Sequence, residues 1–262
     1  MNHEAILIEY CPAIGGFLTL QAKESTLPII RRYYKASKNR IAFPKIKQQF
    51  FSIQRTRDNT YMTKEQQFWD WFKENEAQFF FLNQIDSEIE KEKLLDELLK
   101  QLHSFCDQLF FEVGGFPNEK QDLIITADGN TEYFDKVESL VKQAPLLDYW
   151  NIIAFKPAIE NNTIEYKGIQ LNSKTIFFDP LENRTSEKIG LRLYIDNYNP
   201  NNKTAFLTAT YLLLDNILGE KSNAQDIGYV DIDKLSSTAQ REELIELNKL
   251  PRYIQWKKSK GQ

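Results

Sequence analysis

The stretch LIITADGNTEYFDKVESLVKQAPLLDYWNIIAFKP, Leu123 to Pro157, decides the fold. Its first residues form a short apolar run rich in Ile, the pattern of a buried strand. Asp128-Gly129-Asn130 interrupts that run. Gly129 permits a positive φ. Asn130 or Asp128 can cap a following helix, which is worth about 0.5–2 kcal/mol. From Thr131 to Gln143, the residues Phe134, Val137, Leu140 and Val141 recur at three- and four-residue spacing and form one helix face. Gln143-Ala144-Pro145 ends the helix. Trp150 to Lys156 then reads as another strand.

Working outward, LFFEV (Leu109 to Val113) is a preceding strand, with turn chemistry at Gly114-Gly115-Phe116-Pro117-Asn118. The unit is therefore strand-strand-helix-strand. After a hairpin-like stretch, Thr163 to Leu171, the order recurs. Thr175 to Asp179 and Lys188 to Asp196 are strands. Pro200 to Leu218 is a helix with Ala205, Ala209, Leu212, Leu213 and Ile217 on one face, and Ile227 to Ile232 is the closing strand. Asn199-Pro200 fits an N-cap followed by proline at the first helical position.

The expectation is an α+β fold. A mixed, largely antiparallel sheet is built from two ββαβ repeats, Leu109 to Phe155 and Thr175 to Ile232. The helices lie mainly on one face, and the apolar sides share one interior. A helical hairpin precedes the repeats. Glu65 to Leu82 groups Phe68, Trp69, Phe72, Ala77, Phe79 and Phe80 on a broad side, with Trp71 nearer the polar one. Ser87 to His103 repeats Ile89, Leu94, Leu95, Leu98, Leu99 and Leu102. Residues 62–250 read as one domain. A tail helix at 240–248 leads to Pro251, and 251–262 reads as a frayed end.

Residues 1–61 differ in kind. They hold ten Lys/Arg against four Asp/Glu, so they carry +6 within a chain whose net charge is −4, and the remainder carries −10. Three readings follow for this basic extension. It is poorly ordered or not part of the native protein. It docks on the acidic body. Or 23–57, where positive charge alternates with Tyr33, Tyr34, Phe43, Phe50 and Phe51, binds nucleic acid. Met62 precedes Thr63-Lys64-Glu65-Gln66, a capping box. Met1 and Met62 are the two methionines, so a native start at Met62 is an expectation.

Chemistry-bearing motifs are few. The histidines are His3 and His103, and the cysteines are Cys11 and Cys106. That composition implies a reducing, cytoplasmic setting. His103 and Cys106 lie three residues apart, too few ligands for zinc. The glycine pairs fit neither a dinucleotide fingerprint nor a phosphate loop, so no cofactor is expected. No run reaches the ~20 apolar residues of a membrane span, so no membrane role is expected. Asp128, Asn130, Asp179, Asp196 and Asn197, at strand ends, are the polar candidates for contact with a ligand or partner, with Trp71 as the aromatic one. Convergence of Asp128, Asp179 and Asp196 would suit Mg²⁺ or Ca²⁺. Capping explains the same residue types without a metal.

The residues FWDWFKENE (Phe68 to Glu76), LIITADGNTEYFDKVESLVKQAP and YWNIIAFKP resemble a set of uncharacterised bacterial α+β proteins. In those, an aromatic-rich first helix leads to an I-S-A-D-G turn and a W-x-I-I-A-F strand. The likeness spans Met62 to Ile232 and has no counterpart in 1–61. It implies a fold and no activity.

Scarce catalytic groups and a body carrying −10 lead to one functional expectation: a non-enzymatic protein that binds a macromolecular partner, most simply a protein, through an acidic surface. An inhibitor or immunity-type role is one form of it. The alternatives are a carboxylate-based, Mg²⁺-dependent hydrolase or transferase, and nucleic-acid binding through 23–57.

Overall fold

Thr63 opens the first helix as its sequence expects. Its Oγ1 accepts from Gln66 N at 3.2 Å, and Gln66 Oε1 accepts from Thr63 N at 3.0 Å. The computed structural model describes residues 62–115, 119–159, 163–181, 187–235, 241 and 243–260, together with the strand backbones 6–8 and 17–21. The basic stretch 23–57, and the readings attached to it, lie outside the described residues.

Helices α1 (Lys64–Phe80) and α2 (Glu88–Phe105) form the expected hairpin. Phe68, Trp69, Phe72 and Phe79 face Leu95, Leu98, Leu99 and Leu102 in the interior. Ala77 and Ile89, assigned to the buried faces by periodicity, are exposed. Ile89 sits in the first turn of its helix.

Five strands form the first sheet in the order β1-β2-β3-β4-β5. They are β1 (Ile6–Ile8), β2 (Phe17–Gln21), β3 (Phe110–Gly114), β4 (Gln121–Thr126) and β5 (Trp150–Ala154). β3 and β4 are antiparallel; β4 and β5, joined through α3 (Phe134–Lys142), are parallel. β2 adds to the other side of β3, with Phe17 opposite Gly114 and Leu20 opposite Phe111. Part of the N-terminal extension thus extends the sheet.

The second sheet has the order β10-β9-β8-β11. β8 (Phe177–Leu181) and β9 (Ile189–Ile195) are antiparallel; β9 and β10 (Ile227–Lys234) are parallel, joined through α4 (Lys203–Leu218) and α5 (Glu220–Asp226). The hairpin β6 (Thr163–Tyr166)–β7 (Ile169–Asn172) packs on α4. On α4 the buried residues are Phe206, Ala209, Thr210, Leu213, Leu214, Ile217 and Leu218, while Leu212 is exposed.

The α+β class, the helical hairpin and both ββαβ units are observed, and the sheets are mixed and largely antiparallel. One expectation is corrected. The repeats do not share an interior: each has its own sheet and its own buried cluster. The first cluster runs from Phe68 to Phe155 and the second from Tyr166 to Ile254. Each unit brings its own cover, α1–α2 for the first and the β6–β7 hairpin with the C-terminal helix for the second, so neither needs the other to bury its apolar face.

The C-terminal segment is also corrected. Residues Ile245–Glu246 form β11, antiparallel to β8, where a helix over 240–248 was expected. The helix α6 runs from Leu250 to Lys260, across the segment expected to fray. Pro251 sits in its first turn, where a residue needs no amide hydrogen for the helix. Leu250 and Ile254 are buried, and the Tyr253 ring lies 5.6 Å from that of Phe178.

Candidate functional site

The turn Asp128-Gly129-Asn130 lies where the parallel strands β4 and β5 end, the side of such a pair on which ligands commonly bind. Its backbone is left-handed twice, with φ of +51° at Asp128 and +78° at Gly129. Asn130 then caps the turn of 3₁₀ helix that leads into α3, its Oδ1 accepting from Glu132 N at 3.2 Å. Capping by Asn130 is therefore real.

A second role was not legible. The turn and the end of β5 present three amide N–H groups and a hydroxyl to one point, and Glu220 of the second unit fills it. Glu220 Oε1 accepts from Ala127 N at 3.1 Å and Gly129 N at 3.0 Å. Its Oε2 accepts from Thr126 Oγ1 at 2.6 Å and Lys156 N at 3.1 Å. Glu220 N in turn donates to Lys156 O at 2.9 Å. With 1% of its surface exposed, this carboxylate is sealed between the units. A buried charge is tolerated only when its lone pairs are met in this way.

Two backbone features serve the clasp. Phe155 takes φ +68°, rare for a bulky residue. That turns the chain so that Lys156 N reaches Glu220, while the Phe155 ring packs 4.6 Å from Phe134. Gly219 takes φ +74° and ψ 158°, a region essentially reserved for glycine. A Cβ there would stand 2.9 Å from Ala158 N.

Charged groups surround the clasp. Lys156 Nζ lies 2.9 Å from Asp128 Oδ1. Burial would lower the pKa of this ammonium, but attraction to Asp128, Glu112 and Asp215 outweighs burial and raises it, so it stays charged. Burial raises the Asp215 carboxyl, against the pull of Lys156 and a 2.7 Å hydrogen bond from Asn223 Nδ2.

The other sequence candidates do not gather here. Asp196 pairs with Arg241 at 2.7 Å on the surface of the second unit. Asp179, exposed on β8, lies opposite Arg192, and Asn197 is exposed beside Asp196. Among the described residues, no group of three His, Cys, Asp or Glu could hold a metal ion. The proposed convergence of Asp128, Asp179 and Asp196 is thus corrected: Asp128 belongs to the first unit, and the other two belong to the second sheet. Trp71 is half-buried against the first core, its ring 5.9 Å from Phe79. His103 Nε2 lies 3.1 Å from Leu109 O, a structural contact.

Division into two units also resolves the charge. Residues 62–160 hold 9 Lys/Arg against 20 Asp/Glu, a balance of −11, whereas 161–262 hold 14 against 13, or +1. The acidity expected of the whole body is a property of the first unit. On that unit, at the C-terminal end of α1, sits an aromatic group. Phe80 packs edge-on against Phe81 at 5.1 Å and against Tyr149 at 5.6 Å. Phe81 is 43% and Tyr149 61% exposed.

No helix among the described residues is long and apolar enough to cross a membrane. No family model, curated protein or solved structure matches the chain.

Proposed function

We propose that the protein binds a basic macromolecular partner through the first unit, with Phe81 and Tyr149 as the apolar centre of an acidic face. The observation that carries this reading is the concentration of −11 on residues 62–160 beside rings left exposed. Acidic surfaces accelerate encounter with cationic partners. Exposed aromatic residues are the groups that most often supply the anchoring contacts of an interface. The turn first suspected of chemistry is filled by the chain's own carboxylate, which supports looking for the partner surface elsewhere on this unit.

The test is capture from lysate of the native cell, at low and high salt, with the wild-type chain and with a Phe81→Ser/Tyr149→Ser double variant. A partner retained at low salt, released at high salt and lost with the double variant is expected. Equal retention by wild type and double variant overturns the proposal, as does the absence of any salt-sensitive species.

A further inference from the structure

Two buried polar atoms near the aromatic group lack hydrogen-bond partners among the described residues: Glu76 Oε2 and Trp150 Nε1. Trp150 is 3% exposed. Its neighbour in the same core, Trp69, shows what is normal for a buried indole, with Nε1 donating to Leu140 O at 2.8 Å. Buried donors and acceptors are nearly always paired, and an orphan calls for an explanation. Here a donor and an acceptor are orphaned in the same neighbourhood. Phe72, Glu76 and Phe80 follow one another at four-residue spacing along α1, so they share one side of the helix. The Trp150 ring lies edge-on to both Phe72, at 5.3 Å, and Phe80, at 6.5 Å. Glu76 thus comes from the helix turn between two rings that touch Trp150, and the Phe80 ring continues outward to Phe81 and Tyr149.

A carboxylate with an unpaired oxygen, on the same side of α1 as two rings that touch an indole with an unpaired N–H, makes a receptor for a cation. Ring faces attract positive charge, and guanidinium both stacks on rings and pairs with carboxylate. We propose that this site takes an arginine side chain of the partner, its guanidinium against Glu76 among Phe80, Phe81 and Tyr149, with a peptide carbonyl accepting from Trp150 Nε1. This inference rests on the function proposed above and specifies its anchor. The balance of −11 on the same unit favours a cationic occupant over a neutral one. The orphaned atoms are shielded from solvent, so entry requires the side chains beside them to turn aside.

The experiment follows the indole N–H resonances of the full chain by ¹⁵N NMR. The Trp150 signal is assigned from its loss in Trp150→Phe. The probe is a capped Gly-Arg-Gly tripeptide, and the control is its citrulline counterpart, equal in shape but uncharged. A saturable shift of the Trp150 resonance with the arginine peptide alone is expected. Glu76→Gln should weaken it by about tenfold or more, and Tyr149→Ser, at an exposed position, should also weaken it. Unmoved resonances of the remaining indoles in these variants report an intact fold. No shift, equal response to citrulline, or indifference to Glu76→Gln overturns the inference and leaves ordinary hydration of the two atoms. A retained, salt-sensitive partner in the capture experiment alongside a silent Trp150 removes the arginine anchor and leaves the acidic-face reading standing.

Discussion

In the first ββαβ unit the turn that launches the helix is held from outside; in the second it is held by its own neighbours. Both units pair their strands alike, antiparallel then parallel. After β4 the chain goes left-handed at Asp128 and Gly129, and a buried glutamate from the other unit secures it. After β9, Asp196 to Asn199 need no positive φ, and Asn199 Oδ1 accepts from Asn201 N at 3.0 Å. Tyr198 is buried with its ring 5.3 Å from Phe206, and Asp196 is left to a surface ion pair with Arg241. Equal topology therefore carries unequal local energetics. The first turn is where the two units are joined, and the second is a free-standing helix start.

The two turns differ most in what the loss of each carboxylate costs. Glu220→Ala strands three amides and a hydroxyl in a buried space and is expected to cost about 4 kcal/mol. Asp196→Ala removes an exposed pair and is expected to cost less than about 1 kcal/mol. Urea unfolding of both variants measures the difference. Comparable losses would mean that the clasp contributes no more than a surface contact.

A second contrast sets the glycines against each other. Gly219→Ala meets both a forbidden backbone region and the Ala158 amide, so about 2–3 kcal/mol is expected. Gly129→Ala keeps a positive φ but meets nothing within 4 Å, so about 1 kcal/mol is expected. Thermal midpoints would rank them, and a larger loss at Gly129 would place the critical strain in the turn itself.

The smallest effect concerns pH and belongs to the first unit. Burial lowers the His103 pKa below its ordinary 6.5, against the Leu109 carbonyl and Asp107. The folded state then binds the proton less readily than the unfolded chain. Its contribution is fully present above pH 6.5 and is lost as pH falls through the lowered value. His103→Gln should flatten that part of the stability–pH curve. An unchanged slope would show that other groups produce it.

Local rules accounted for much of this. The cap at Thr63, the breaks at Gly129 and Pro145 and the period of α3 are short-range signals, and the elements fall where they place them. Errors arose where one local signal admitted two outcomes. Pro251 can follow a helix or stand in the first turn of one, and it stands in the first turn of α6. Ile89 and Leu212 fit an apolar stripe, yet both are exposed. The short helix α5 has no apolar stripe to announce it: its buried residue is Glu220.

From its own order of residues, the chain determined its elements, their sequence in two like units, and the capping of its helices, because each depends on neighbours a few positions away. Tertiary structure alone decided that the units keep separate interiors. It also decided that Glu220 crosses 91 positions to reach Gly129 and that Glu76 Oε2 and Trp150 Nε1 are buried with no hydrogen-bond partner among the described residues. Those outcomes turn on which buried polar groups meet across the fold, and a carboxylate in a sequence looks the same whether it will face water or three amides.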